Sequence, residues 1–290
     1  MSESELEKKI VDRVVFCLTK NELYIDFWNY ISKLYRVKYN ITPTLFFSGD
    51  DNDLKILKGE GRLSVEFGEV YLLPRVLDIP FDGDMDWTCT WGLFYGAAQF
   101  PDDICMLSGI DQIPLNNKLL DYLKRSGYRD SYTVLWSDAY GANTGLGKMY
   151  PSSHHIAKGK FFKKLYKIDD SWSVELLKVF NSSSRLGFEY PFNCNNFWGL
   201  DEAYSSWNIN EYVRGQNMGF EVVLMKNIFH LFKKTRLDRG TSKIYLTDFD
   251  VLLNEIKSGL YCEYHARRPF ALNTRMGDVL NAIQSHSNIL

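Results

Sequence analysis

The stretch Phe100-Pro-Asp-Asp-Ile-Cys-Met-Leu-Ser-Gly-Ile-Asp-Gln-Ile-Pro-Leu115 decides the fold of this chain. Its apolar run Ile104–Leu107 predicts a buried strand that stops abruptly, and one carboxylate, Asp111, follows before a second short apolar segment. An α/β protein offers a metal-binding or phosphate-binding group to a ligand at the carboxyl end of such a strand. We therefore expect a ligand site here, with an aspartate that only caps its own turn as the alternative.

The residues before this stretch predict a parallel strand–helix–strand unit. Arg13–Leu18 and residues 44–48 are short apolar runs typical of buried strands, and apolar side chains recur at helical spacing over 23–38. Residues 49–53, Gly-Asp-Asp-Asn-Asp, predict a turn after the second strand. A right-handed crossover between two parallel strands follows from this order of elements.

The remaining elements extend the same α/β pattern over the chain. The periodicities predict helices over 88–99, 119–125, 160–166, 173–180, 201–212 and 247–257, and strands over 70–73, 133–136, 149–156 and 260–265. Neither an internal repeat nor a Pro/Ser-rich linker divides the sequence. We predict one continuous α/β domain over residues 1–290.

The composition argues against a nucleic-acid-binding, disulfide-stabilised or membrane-spanning protein. A net charge of −2 over 290 residues argues against a general nucleic-acid binder, whose affinity comes from neutralising phosphates. The five cysteines are widely spaced and contain no C-x-x-C pair, so they predict reduced, buried side chains in a cytoplasmic protein. Neither a signal-peptide pattern nor an apolar stretch long enough to span a bilayer occurs, and we expect a soluble protein.

A second candidate site segment lies near the end of the chain, at Tyr264-His-Ala-Arg-Arg-Pro-Phe270. The neutral imidazole of His265 is a ligand type suited to Mn²⁺-like ions, and the guanidinium groups that follow suit phosphate oxygens. A strand histidine followed by two solvated arginines is the alternative for this segment taken alone.

A third candidate is Trp198-Gly-Leu-Asp-Glu-Ala-Tyr204, which places Asp201 and Glu202 in the first turn of a helix. Acidic residues favour helix N-termini through the helix dipole alone. The functional interpretation makes one of them a general base near an acceptor hydroxyl, with Trp198 as a stacking face for a sugar ring. No Walker A loop, G-x-G-x-x-G after the first strand, H-E-x-x-H or G-x-S-x-G motif competes with these segments.

These segments, in this order, resemble the GT-A class of nucleotide-sugar glycosyltransferases. The closest resemblance is to small soluble members whose motif reads S-D-I-D-M-x-P-L, here Ser108-Gly-Ile-Asp-Gln-Ile-Pro-Leu115. The acidic segment after Trp198 resembles their W-G-x-E-D-like motif, and the C-terminal histidine segment resembles their metal-completing closure. The resemblance implies a Rossmann-like mixed, mostly parallel sheet flanked by helices in a single domain. It also implies a nucleotide-binding half over about 10–115 and an acceptor-binding half over about 116–290.

Carried over position by position, the resemblance makes Asp111 the direct ligand of Mn²⁺ or Mg²⁺ and His265 the second metal ligand. Arg268 corresponds to a contact with the donor diphosphate. Gly109 stands where the first aspartate of the D-x-D motif is expected, which is a departure from the family pattern.

The resemblance also assigns the acceptor and nucleoside ends. Glu202 corresponds to the catalytic base of inverting members and Asp201 to its partner at the acceptor hydroxyl, although their order is reversed and either can serve. Thr19, Asp50 and Asp51 follow the first two strands, where such enzymes hold the base and ribose.

The implied function is transfer of a sugar from a nucleotide-diphosphate sugar, with UDP-sugars favoured, to a hydroxyl of a glycan acceptor with inversion. A catalytically decayed GT-A-like protein that binds glycans or nucleotides is the alternative that Gly109 motivates. A sugar-1-phosphate nucleotidyltransferase is less favoured, because Thr19-Lys-Asn-Glu22 is not a glycine-rich basic loop.

Overall fold

The computed structural model describes residues 10–76, 79, 86–126, 131–140, 143–144, 147–186, 199–215, 219–226, 236–238, 248–270 and 277–278. Seven strands form the central sheet: β1 (Arg13–Leu18), β2 (Thr42–Gly49), β3 (Glu69–Pro74), β4 (Ile104–Leu107), β6 (Ser131–Val134), β9 (His155–Lys158) and β10 (Glu221–Leu224). Their order across the sheet is β10-β6-β9-β4-β1-β2-β3. Only β9 runs antiparallel to its neighbours among these described strands. The mixed, mostly parallel sheet predicted from the sequence is confirmed.

Two smaller sheets accompany the central one. A three-stranded sheet has the order β11-β12-β5, formed by β5 (Gln112–Pro114), β11 (Arg236–Asp238) and β12 (Glu263–His265). A two-stranded hairpin consists of β7 (Asn143–Thr144) and β8 (Gly147–Lys148). The three-stranded sheet joins the end of the opening stretch to the C-terminal histidine segment, because β5 pairs antiparallel with β12.

The helices flank the central sheet. They are α1 (Phe27–Lys33), extended by a π-helical turn at Leu34–Lys38, α2 (Asp51–Gly59), α3 (Asp86–Ala98), α4 (Lys118–Ser126), α5 (Gly159–Tyr166), α6 (Trp172–Asn181), α7 (Leu200–Val213) and α8 (Phe249–Lys257). Side chains alternate in direction along β1, so Val14 and Phe16 pack into one buried cluster and Val15 packs into another. Helices α1, α2, α4 and α8 contribute to the first cluster, and α3, α5, α6 and α7 to the second.

The predicted turn at residues 49–53 is wrong, because α2 begins within it. Asp50 precedes the helix in an extended conformation, and Asp51 and Asp53 lie in the first turn. Carboxylates at that position interact favourably with the positive end of the helix dipole. A cluster of turn-forming residues therefore served as a helix start, and the helix continues through the apolar residues Leu54 and Leu57.

The predicted strand over 149–156 is also wrong, since β9 begins only at His155. Pro151 lacks a backbone donor, and His154 has a left-handed backbone with φ of +64° that interrupts an extended chain. Residues 149–154 therefore form a loop that precedes the strand.

The remaining differences concern element boundaries. The helix predicted over 23–38 begins at Phe27, the strand predicted over 133–136 is Ser131–Val134, and the strand predicted over 260–265 is confined to Glu263–His265. Strands β5, β7, β8, β10 and β11 were not predicted. The other predicted helices and strands lie within a few residues of their expected positions, the usual error of boundary assignment.

Two expectations from composition have structural counterparts. Cys17, Cys89, Cys105 and Cys262 are buried thiols, and Cys194 lies outside the described residues. Within the described ranges, none of the helices is both long enough and apolar enough to cross a bilayer.

Candidate active site

A cavity of about 380 Å³ lies at the carboxyl ends of β1 and β4. Because β9 is antiparallel to β4, the loop that precedes β9 reaches the same edge of the sheet. The segment after β6 and the N-terminus of α7 close the opposite wall. The cavity therefore combines residues from distant parts of the chain, at the edge where open α/β sheets bind ligands.

Five predicted site residues line this one cavity: Thr19, Asp111, Glu202, His265 and Arg268. Asp201 precedes Glu202 on α7 but is itself fully buried behind the wall, with 2% of its surface exposed. The structure thus brings together the three segments that the sequence singled out.

Asp111 and His265 face each other across the cavity wall. The Nε2 atom of His265 lies 3.3 Å from Oδ2 of Asp111, and Nε of Arg268 lies 3.6 Å from the same oxygen. The antiparallel pairing of β5 with β12 enforces this arrangement, and the backbone amide of Ala266 donates to the carbonyl oxygen of Asp111 at 2.8 Å. The segments of Asp111 and His265, each a weak indication of a site in the sequence, are therefore joined in the folded protein by strand pairing.

Asp111 and His265 are two adjacent donors of the kinds that divalent metal ions accept. The Nδ1 atom of His265 lies 3.6 Å from Oδ2 of Asp238 on β11 and makes no hydrogen bond among the described residues. A carboxylate on this side of the ring is where metal-binding histidines usually have an orienting partner. Within the described ranges no group of three or more His, Cys, Asp or Glu side chains could hold a metal alone. Asp111 and His265 would thus supply two ligands, leaving the others to phosphate oxygens and water.

A side chain at Gly109, where the D-x-D pattern has its first carboxylate, would crowd the side chains of Gln112 and Asp111. A Cβ atom at this position would lie 3.0 Å from Cδ of Gln112 and 3.2 Å from Oδ1 of Asp111. The Gln112 side chain occupies that space and accepts a hydrogen bond from the Gly109 amide at 2.8 Å. An amide therefore stands beside Asp111 where a second acid is expected.

The acidic pair on α7 has two different environments. Gly199 opens the helix with φ of +100°, a conformation that strongly favours glycine. Oε1 of Glu202 accepts hydrogen bonds from the hydroxyl of Tyr140 at 2.9 Å and from the backbone amide of Ser152 at 3.1 Å. Asp201, by contrast, points into the protein, and its Oδ2 lacks a partner among the described residues.

Burial perturbs both carboxyl groups in the same direction. It raises the pKa of Glu202 above its ordinary range, and the hydrogen bonds from Tyr140 and Ser152 only partly oppose this rise. Burial first, and then the neighbouring charge of Glu202, raise the pKa of Asp201. Glu202 lines the cavity and Asp201 does not, so Glu202 is the member of the pair that a ligand can reach.

The predicted nucleoside contacts separate into two groups. Thr19 and Asp50 line a smaller cavity of about 240 Å³, and Thr19 also lines the larger one. Asp51 lines neither of these cavities, and its exposed carboxylate pairs with Lys55 at 2.5 Å. Asp50 is therefore better placed than Asp51 to contact a ligand.

Sequence reasoning missed several residues that line the larger cavity. Trp136 and Tyr140 follow β6, Ser153 and His154 precede β9, and Arg236 lies on β11. The turn-forming run Tyr150-Pro-Ser-Ser153 could have indicated a loop at the sheet edge. Trp198, the predicted stacking residue, lies outside the described residues.

The two neighbouring histidines serve different parts of the molecule. His154 contacts Ser153 through Nδ1 at 2.9 Å and the buried carboxylate of Glu263 through Nε2 at 2.7 Å. His155 turns into the core, where the hydroxyl of Tyr132 lies 2.6 Å from its Nδ1. Burial lowers the pKa of His155 to about 3, so this side chain stays neutral and acts as a core residue.

The chain was compared with protein families, with curated proteins and with solved structures. No family model matches the sequence, and no curated protein matches it. Among solved structures, the apo form of mouse xyloside xylosyltransferase 1 is similar with a TM-score of 0.40 and 9% sequence identity. The match covers 88% of this chain and 96% of that one. A likeness with such a TM-score carries no argument about the activity of this chain.

Proposed function

We propose that the protein is a glycosyltransferase of GT-A type that moves a sugar from a nucleotide-diphosphate sugar, preferably a UDP-sugar, to a hydroxyl of a glycan acceptor. The observation that carries this proposal is the convergence of Asp111, His265, Arg268 and Glu202 on one cavity. These side chains provide phosphate recognition at one end and a general base at the other.

The nucleoside would occupy the smaller cavity and extend past Thr19, the residue that both cavities share. Asp50 would then accept a hydrogen bond from the ribose. Arg268 lies over the ring of Tyr24 at 4.8 Å and faces Asp111, so its guanidinium is held where the diphosphate would pass. This order of contacts directs the sugar toward Trp136, Tyr140 and Glu202.

Asp111 and His265 would hold Mn²⁺ or Mg²⁺. When bound, such an ion would neutralise the diphosphate oxygens as negative charge develops on them. Arg268 adds a fixed positive charge at the same place and requires no ion. The protein's own contribution at this end is therefore to bind and orient the leaving diphosphate.

Glu202 would act as the base at the acceptor end. The acceptor hydroxyl gives its proton to the carboxylate while its oxygen attacks the anomeric carbon from the face opposite the diphosphate. The bond from that carbon to the diphosphate oxygen breaks, and the electron pair leaves with the nucleoside diphosphate. Burial moves the pKa of Glu202 upward, toward the pH at which the enzyme operates. A general base is most efficient when its pKa lies near that pH.

A second candidate function is binding of glycans or nucleotides by a fold that has lost transfer activity. Gly109 favours it, because the first carboxylate of the D-x-D pattern is replaced by a glycine against Gln112. The two candidates differ in one measurable step, the release of nucleoside diphosphate.

The test incubates the protein with each member of a panel of sugar nucleotides, in the presence of Mn²⁺ or of a chelator. Thermal unfolding then measures donor binding, and a second assay measures the nucleoside diphosphate that is released. At a hundredfold excess over Kd, a cognate donor raises the unfolding free energy by about 2.7 kcal/mol. We expect this stabilisation and release of diphosphate for at least one donor. The Asp111→Asn variant should lose the stabilisation and the diphosphate release that depend on Mn²⁺. The control variant Asp51→Asn should keep both.

Stabilisation without release would support the binding function and overturn transfer. An unchanged melting temperature with every donor would contradict both candidates.

A further inference from the structure

Arg236 is a cationic side chain of the cavity wall that the proposed transfer reaction does not use. It begins β11, its side chain is 14% exposed, and its guanidinium carbon lies 5.4 Å from the ring centre of Trp136. Both residues line the larger cavity. An aromatic face and a guanidinium fork therefore meet on one wall.

A buried carboxylate fixes the position of Arg236. Oε1 of Glu263 lies 3.1 Å from Nε of Arg236, while Oε2 of the same carboxylate is 2.7 Å from Nε2 of His154. Nε of Arg236 and Oε1 of Glu263 are both buried and make no hydrogen bond among the described residues, so their contact is an ion pair. The guanidinium is thus held beside Glu263 by an ion pair at Nε.

The other end of the guanidinium is left for a ligand. Arginine carries five N–H donors in a rigid fork, and the two terminal nitrogens hold four of them. Among the described residues, neither terminal nitrogen of Arg236 has a hydrogen-bond partner. Because Arg236 lines the larger cavity, the fork formed by its terminal nitrogens suits an oxyanion with two oxygens.

Arg236 lies at the acceptor end of the cavity. Arg236 packs over Trp136, which belongs to the same segment after β6 as Tyr140, and all three residues line the larger cavity. Tyr140 in turn donates to Glu202. Arg268, by contrast, lies with Tyr24 and Asp111 at the diphosphate end. The two arginines therefore serve different parts of a ligand.

We propose that Arg236 recognises an acidic sugar, one that carries a carboxylate or a phosphate, while Trp136 packs against the face of its ring. This inference rests on the proposed function and specifies its substrate class. The acidic group can belong to the transferred sugar or to the acceptor, because both meet at this end of the cavity.

The experiment measures dissociation constants for matched pairs of ligands. UDP-glucuronate is compared with UDP-glucose, which differs from it only at the carboxylate. In the presence of UDP, glucuronate and glucose 6-phosphate are each compared with glucose. The first pair reports on the donor sugar, and the second set reports on the acceptor and separates carboxylate from phosphate.

We expect the acidic member of at least one pair to bind about tenfold more tightly or better, the range for a charge-assisted pair of hydrogen bonds. Arg236→Gln should reduce that preference to less than about twofold and leave the neutral ligand unaffected. Arg268→Gln is the matched control and should weaken both UDP-sugars by the same factor. Arg236→Lys keeps the ion pair with Glu263 and should lose most of the preference, because lysine lacks the fork.

Equal binding of acidic and neutral ligands would overturn this inference and leave the glycosyltransferase proposal intact. A preference that survives both Arg236→Gln and Arg236→Lys would overturn it as well. If Arg236→Gln does not fold, the result for Arg236→Lys decides alone. Failure of every sugar nucleotide to bind would overturn the proposed function, and this inference with it.

Discussion

Two pairs of adjacent acids at helix starts, one at α2 and one at α7, look alike in sequence but differ in the folded protein. Asp51 at α2 has a side chain that is 60% exposed and pairs with Lys55 one turn later. Asp201 at α7 is 2% exposed, and its neighbour Glu202 is held by Tyr140 and Ser152. The first pair is solvated, and the second has perturbed pKa values.

The difference lies in what covers each helix start. The loop before β9 and the segment after β6 fold over the first turn of α7 and remove its carboxylates from water. At α2 the acids stay at the surface, where the helix dipole and a lysine satisfy them. Charge pattern alone thus cannot separate a solvated helix start from a candidate base, because long-range packing makes the distinction.

The largest expected effect is on transfer by Glu202→Gln. The amide keeps a hydrogen-bond acceptor for Tyr140 and Ser152 but cannot take a proton from the acceptor. We expect the rate of sugar transfer to fall about 10²–10⁴-fold, the usual contribution of a general base, with donor affinity unchanged. Single-turnover transfer and donor binding measure the two quantities.

The corresponding variant at the exposed pair, Asp51→Asn, is the control and should transfer at the wild-type rate. A Glu202→Gln protein that kept the full rate would remove Glu202 from the role of base.

The next effect concerns the pH dependence of stability through Asp201. Its folded-state pKa is raised, so the unfolded chain releases this proton at a lower pH than the folded protein does. The proton on Asp201 therefore contributes to the free energy of unfolding in full below the ordinary carboxyl pKa of about 4. This contribution is lost as the pH rises through the folded-state pKa. Asp201→Asn carries no such proton and should show a smaller loss.

Urea unfolding at about pH 5 and about pH 8 checks this expectation. Wild type should lose at least about 1.4 kcal/mol more unfolding free energy over this range than Asp201→Asn, the equivalent of one pKa unit. Asp51→Asn should follow the wild-type curve. Parallel curves for wild type and Asp201→Asn would show that the burial of Asp201 does not perturb its titration.

Much of the fold was accessible from the sequence because local patterns dominate it. The apolar runs of β1 and β4 and the helical spacing of α7 are visible without tertiary information. Asp111 and His265 were also singled out as candidate site residues, through the resemblance of their short motifs. Their contact was not, because it depends on the pairing of β5 with β12 across distant parts of the chain.

The residues that sequence reasoning missed lie where local signals are weak. Arg236 belongs to a strand of three residues, which is too short to show a period of two. His154 has a left-handed backbone in a loop that looked like a strand, and turn residues such as Pro151 were the only local indication. Residues of short strands and loops that line a cavity therefore cannot be identified from sequence patterns, because tertiary packing alone brings them together.

A smaller effect is expected at Asp50, the one member of the exposed pair that lines a cavity. If Asp50 accepts a hydrogen bond from the ribose, Asp50→Asn should weaken binding of uridine diphosphate about threefold to tenfold. Isothermal titration calorimetry measures this change. Asp51→Asn should bind uridine diphosphate like wild type, and equal losses in the two variants would point to a general charge effect.

The smallest effect is expected for the stability of Asp51→Asn itself. The substitution removes an exposed pair with Lys55 and one favourable charge at the start of α2. Exposed pairs of this spacing contribute about 0.3–0.5 kcal/mol, and salt screens them. We therefore expect the unfolding free energy to fall by less than about 1 kcal/mol at low salt and by less still at about 1 M NaCl. A larger loss that persists in salt would mean that the α2 acids are not simply solvated, and the contrast with α7 would no longer hold.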